Sequence, residues 1–324
     1  MKEINKKTIV YNLMQIIFIV VFISISTTLF GQQEQLTAVA AVTGLLMFYY
    51  VPLPINPKAG SLLVSLPWPI VGLISYLASL NSWAGFILNF TTLFVLTLLM
   101  GKPFHFKYYI AYTLLYIFSA TSVTADFDLA NRLVYLSLVG IISFVTYYIK
   151  HHQTQNDTPI AIMIREALND IPLIQFSLKM SLGISLVLLI TSLKYFDKSM
   201  WICMTVMSLT QLDSTVMKER MVYRTFGTLI GIVCYLLLFQ FIVPTHYAIY
   251  LTLILGYIYT FIEDYFIQII FITMNALFAA QAIWPTSGAI LHRISFILLG
   301  ACLVAILHFI SHRFSKVLSR KQFN

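Results

Sequence analysis

Apolar runs of roughly 18 to 24 residues recur along the whole chain, each about the length at which an α-helix crosses a bilayer. No other feature restricts the fold as much. A helix satisfies its own backbone N–H and C=O groups inside lipid, so such runs cross as helices. Hydrophobic residues make up 59% of the 324 and charged ones 10%. A soluble domain carries roughly 25% charged residues, and a fold of this size could not cover its surface with so few. The sequence predicts an all-α polytopic membrane protein.

About twelve spans are expected, near 8–31, 36–53, 60–80, 83–101, 107–124, 132–150, 174–195, 199–213, 222–243, 246–262, 265–284 and 290–311. The first is longer than a usual signal-peptide core and reads as a retained span. Pro67 and Pro69 interrupt the third. An even number places both termini on one side. Of the 20 Lys and Arg, only Arg132, Lys194, Lys198 and Arg293 fall on the opposite side from the termini. The other sixteen share the termini's side, so both ends are expected in the cytoplasm of a multi-pass cell-membrane protein. The net charge of +8 is therefore topological and speaks to anionic lipid headgroups, with no nucleic acid implied.

The spans group into two six-helix halves, 1–150 and 174–312, followed by a basic cytoplasmic tail, 313–324. NRLVYLSLVG (131–140) and HRISFILLG (292–300) each pair an outer-side Arg with a glycine further into the membrane. Halves with an even number of spans repeat in parallel orientation, one known way of building a transporter around a central site. The linker 151–173 contains PIAIMIREALND, which reads as an amphipathic helix on the cytoplasmic surface. No Gly-rich phosphate loop occurs, so direct ATP hydrolysis is not expected. Cys203, Cys234 and Cys302 lie in apolar runs without disulfide or metal spacing. No cofactor is implied.

In KERMVYRTFGTLIGIV (218–233), Arg220, Arg224, Gly227 and Gly231 recur at i, i+4, i+7 and i+11 and share one narrow helical stripe. The stretch WICMTVMSLTQLDSTVMKERMVYRTFGTLIGIV (201–233) resembles the fusaric acid resistance protein-like family, also called aromatic acid exporters. The family shows a Trp-led span, a basic cytoplasmic turn and an Arg-x-x-Gly-Thr-x-x-Gly helix start, here Arg224, Gly227, Thr228 and Gly231. Arg293 with Gly300 also fits. The likeness is best over about 175–310. The first half matches in layout only, since its turn reads PLPINPKAGSLLVSLPWP, and the large cytoplasmic domain of longer members is absent. The resemblance implies proton-driven export of organic acids, and an envelope adaptor protein in double-membrane bacteria. It leaves a homo-oligomer open.

Each candidate residue has a functional and a plainer reading. Arg220 and Arg224 suit a cationic vestibule for an organic anion, because a guanidinium grips a carboxylate with two hydrogen bonds. They equally suit anchoring at headgroups. Gly227, Thr228 and Gly231 are candidate substrate contacts, and for the two glycines the plainer reading is close helix packing. Asp213 is either a proton-coupling carboxylate or a partner of Lys218 or Arg220. Glu263 and Asp264 are adjacent carboxylates that cannot both ionise cheaply near lipid, which suits proton carriage; a solvated turn is the alternative. Arg132 has Asp126 and Asp128 close by in sequence to pair with. Arg293 reads as an exit-side contact for substrate. Asn275 is costly beside lipid and is expected to face inward, towards another helix or the substrate. Tyr108, Tyr112 and Tyr116 form a stripe, as do Tyr250 and Tyr257, that reads as packing or as the lining of a path for aromatic solutes.

Taken together these residues favour a secondary exporter of amphipathic organic anions. The alternatives are a translocase for lipids or lipid-linked intermediates and, further off, an integral-membrane transferase. No His or acidic pair sits at a spacing that reads as nucleophile activation, so an enzyme is not expected.

Overall fold

The computed structural model describes residues 5–102, 104–124, 126–154, 156–193, 199–281 and 284–321. Lys2, Lys194 and Lys198 of the charge pattern lie outside them, as do the side chains of Lys316, Arg320 and Lys321. The described residues are helical, with no strand among them. In chain order the helices are α1 (Lys6–Phe30), α2 (Gln35–Tyr50), α3 (Pro57–Ser65), α4 (Pro67–Ser79), α5 (Ser82–Met100), α6 (Tyr109–Thr121) and α7 (Leu129–His151). There follow α8 (Ile160–Asn169), α9 (Ile171–Ser192), α10 (Met200–Leu209), α11 (Ser214–Tyr235), α12 (Ala248–Tyr259), α13 (Tyr265–Ala280) and α14 (Thr286–Lys321). A π-helix, Leu236–Ile242, continues α11.

Among the described residues, seven helices are long and apolar enough to cross a membrane: Lys6–Phe30, Pro57–Ser79, Ser82–Met100, Leu129–His151, Ile171–Ser192, Ser214–Ile242 and Thr286–Ser311. The protein is thus a multi-pass membrane protein. The other expected spans coincide with shorter apolar helices, α2, α6, α10, α12 and α13. Polar side chains start many of these helices by accepting the N–H groups that a first turn leaves unpaired. Asn56 caps α3, Asn81 α5, Asp128 α7, Asp170 α9, Asp213 α11 and Asp264 α13. Pro67 separates α3 from α4, because it has no N–H to give. Leu66 nevertheless stays helical (φ −62°, ψ −36°), so the two pieces read as one span.

The chain forms two compact units, Met1–Val20 with Asp213–Cys302, and Val21–Leu212 with Leu303–Asn324. In the larger unit the tyrosine stripe of α6 is packing. Tyr108, Tyr112 and Tyr116 are fully buried, and their hydroxyls donate to Pro52 O (2.6 Å), Val64 O (2.7 Å) and Asn89 Oδ1 (2.6 Å). The linker segment is helical as expected: α8 buries Met163 and Ala167 and exposes Ile162 and Leu168.

Arg132 departs from the sequence expectation. Its Nε donates to both oxygens of Glu34 at 2.8 and 3.1 Å, and both side chains are sealed from solvent. Nη1 donates to Ser119 O and Nη2 to Ser122 Oγ, both at 2.9 Å. Asp128, the nearer acid in sequence, spends its carboxylate on the N–H of Asn131 and so caps α7. A buried guanidinium needs a buried carboxylate to offset its desolvation, and Glu34, at the start of α2, supplies it.

In the smaller unit the core is built from Ile232, Tyr235, Phe239, Ala248, Leu255, Met274, Leu277, Ala280 and Ala289, drawn from α11 to α14. Asn12 of α1 donates to Thr260 Oγ1 at 3.0 Å, which ties α1 to the end of α12.

Candidate functional site

The stripe on α11 is the inward face of that helix. Met217, Arg224, Gly227, Thr228, Gly231, Ile232 and Tyr235 are buried along it. The glycines are there because α13 passes close by. A Cβ at Gly227 would lie 3.0 Å from Ile269 Cγ2 and 3.2 Å from Phe266 O. One at Gly231 would lie 2.8 Å from Thr273 Cβ and 3.0 Å from Ile270 O. Position 227 faces 266 and 269 while 231 faces 270 and 273, so α11 and α13 run parallel. The packing reading of the two glycines holds.

The arginines separate. Arg220 is half-buried with its guanidinium 4.7 Å from the centre of the Tyr265 ring, a cation–π contact at the first turn of α13. Arg224 is 6% exposed. It stands ten residues into α11, about 15 Å along the axis, so it lies well inside the helix and not at its mouth. Arg293 is 7% exposed and stands seven residues into α14, about 10 Å from its start. It belongs to a buried stripe with Ala289, Phe296, Ile297 and Gly300. The charge of Arg224 reaches Arg293. The sequence set these two residues towards opposite faces of the membrane. The structure brings them within electrostatic reach, because each helix starts well before its arginine.

Two threonines are buried on these helices, Thr228 on the inward face of α11 and Thr273 where α13 passes Gly231. Thr228 is 3% exposed and Thr273 fully buried, and neither Oγ1 has a hydrogen-bond partner among the described residues. Thr228 was legible from the Arg-x-x-Gly-Thr pattern. Thr273 was missed, since only the approach of α13 to Gly231 brings it to the stripe.

The other candidates stand apart. Asn275 has a buried Oδ1 without a partner among the described residues, but it lies two residues beyond Thr273, about 200° further round α13. It therefore faces away from α11. Glu263 and Asp264 are exposed at the turn between α12 and α13, and Asp264 accepts the N–H of Ile267 at 3.0 Å. Asp213 is exposed and accepts the N–H of Thr215 at 2.8 Å. That bond holds its carboxyl below the usual range, so it stays ionised at neutral pH. Among the described residues no group of His, Cys, Asp or Glu is arranged to hold a metal ion.

The site lies wholly in the part of the chain that a family model covers. Residues 182–307 match the fusaric acid resistance protein-like family. Over this stretch the chain is similar to that family. It takes in Arg224, Gly227, Thr228 and Gly231 on α11 and Arg293 on α14, so the residues that suggested the resemblance fall inside the matched region. No curated protein and no solved structure matches the chain. Chemically, the matched region offers two buried guanidinium groups, with the Thr228 hydroxyl one turn from Arg224, a combination suited to an anion that has shed its water.

Proposed function

We propose that the protein is a secondary exporter of amphipathic organic anions, coupled to the proton gradient and resident in the cell membrane. The observation that carries this reading is the burial of both Arg224 and Arg293, with the charge of Arg224 reaching Arg293. Two like charges at low dielectric repel, and an anion between them converts that repulsion into attraction. The family likeness of residues 182–307 supports a transporter. In this reading the chain crosses the membrane twelve times with both ends in the cytoplasm, as its Lys and Arg distribution suggests.

The proton step is assigned to Glu263. Asp264, beside it, spends its carboxylate on the first turn of α13, and Glu263 is therefore the residue chosen for that step. The experiment uses inside-out vesicles with an acidic lumen and radiolabelled benzoate. Export appears as accumulation in the acidic lumen, the opposite of passive weak-acid distribution. Glu263→Gln abolishes that accumulation while benzoate binding persists. Distribution identical to protein-free vesicles in the wild type would overturn the proposal.

A further inference from the structure

The hydroxyls of Thr228 and Thr273 behave unlike other helical threonines in the same unit. Thr225 and Thr252 turn their Oγ1 back to the carbonyls of Met221 (2.9 Å) and Ala248 (3.0 Å), the usual way a helix satisfies a buried hydroxyl. Thr228 and Thr273 do not, although both are almost completely buried. An unmet hydroxyl inside a protein is costly and marks a place where something else accepts the hydrogen bond. Thr273 stands at the Gly231 contact, and Thr228 lies three residues before Gly231 on the buried face of α11. Arg224 is one turn below Thr228 on the same stripe.

We infer that Thr228 and Thr273 are specificity-determining residues whose hydroxyls donate to the oxygens of a bound carboxylate or sulfonate. This rests on the reading of Arg224 and Arg293 as the anion site and adds what charge alone cannot do. Guanidinium groups attract any monovalent anion, whereas a hydroxyl rewards one whose oxygens accept strong, directional hydrogen bonds. The site thereby prefers an oxyanion to a soft anion of equal charge. Valine in place of threonine keeps the shape and deletes only the hydroxyl, and serine keeps the hydroxyl and deletes only the methyl.

The test measures binding of benzoate and of thiocyanate to the detergent-solubilised full chain. Thr273→Val and Thr228→Val each weaken benzoate about tenfold, the effect of one hydrogen bond to a charged group, and leave thiocyanate unchanged. Thr273→Ser retains benzoate affinity. Equal weakening of both anions, no change in either, or loss of benzoate in a well-folded Thr273→Ser protein would overturn the inference. The anion site itself is judged separately: if Arg224→Ala binds both anions as wild type does, the underlying reading fails, whatever the threonines do.

Discussion

Arg224 of α11 and Arg293 of α14 are both buried, and the charge of Arg224 reaches Arg293. Arg132 of α7, the residue that matches Arg293 in the sequence repeat, is instead bound to Glu34. Two arginines placed alike in sequence thus meet different electrostatic surroundings. Beside Arg132 a carboxylate of the chain itself supplies the negative charge, which makes it a structural element. Arg293 instead feels the positive charge of Arg224, which the proposed function answers with a bound anion.

The structural role of the Arg132–Glu34 pair has a direct consequence for stability. Glu34→Ala leaves a buried guanidinium facing its former partner's cavity, which costs about 3–5 kcal/mol. The melting temperature of the solubilised protein falls accordingly. Replacing both residues with apolar side chains recovers much of the loss, because no charge is then stranded. An unchanged melting temperature in Glu34→Ala would show that Arg132 is satisfied by the carbonyl and hydroxyl contacts alone.

At Gly231 the neighbouring backbone sets the limit. Gly231→Leu forces its side chain into Thr273 and the carbonyl of Ile270, and overpacking of this kind costs about 1–3 kcal/mol. The folded yield and melting temperature drop, while Gly256→Ala, at a glycine with open space around it, has little effect. Equal behaviour of the two variants would remove the close α11–α13 contact from the account.

The N-cap at Asp213 makes a prediction about pH. Its carboxyl is held below the usual range by the N–H of Thr215. Its contribution to stability is therefore complete above the unfolded value, about 3.9, and is lost as pH falls through the lower, folded value. Between pH 5 and 8 the group does not titrate and carries no proton. Asp213→Asn, which still caps a helix, leaves the pH profile of transport unmoved; a shifted profile would return Asp213 to the proton-coupling residues.

Local pattern made much of this legible in the sequence. Run length and apolar content announced the helices, and the spacing of Arg224, Gly227 and Gly231 announced one packed face. Asp128, Asp213 and Asp264 were read from the sequence for their charge, whereas all three cap helices. What stayed hidden depends on contacts between residues distant in the chain. Asp126 and Asp128 were the near acids for Arg132, yet Glu34 took it, because pairing in a buried site follows space and not sequence order. Arg293 gave no sign that it would approach Arg224, and Thr273 gave none that it would face Gly231. The π-helix at Leu236–Ile242 has the composition of an ordinary α-helix, so nothing in LLLFQFI foretold it.

The most direct measurement of the central claim is benzoate affinity in Arg224→Ala and Arg293→Ala proteins of wild-type folded yield. A charge-assisted hydrogen bond is worth about 1.5–3 kcal/mol, so each substitution weakens binding roughly 10- to 100-fold. Arg224→Lys, which keeps the charge and loses the fork, recovers part of that affinity. Wild-type affinity in both alanine proteins would contradict the account and reduce the two arginines to structural charges.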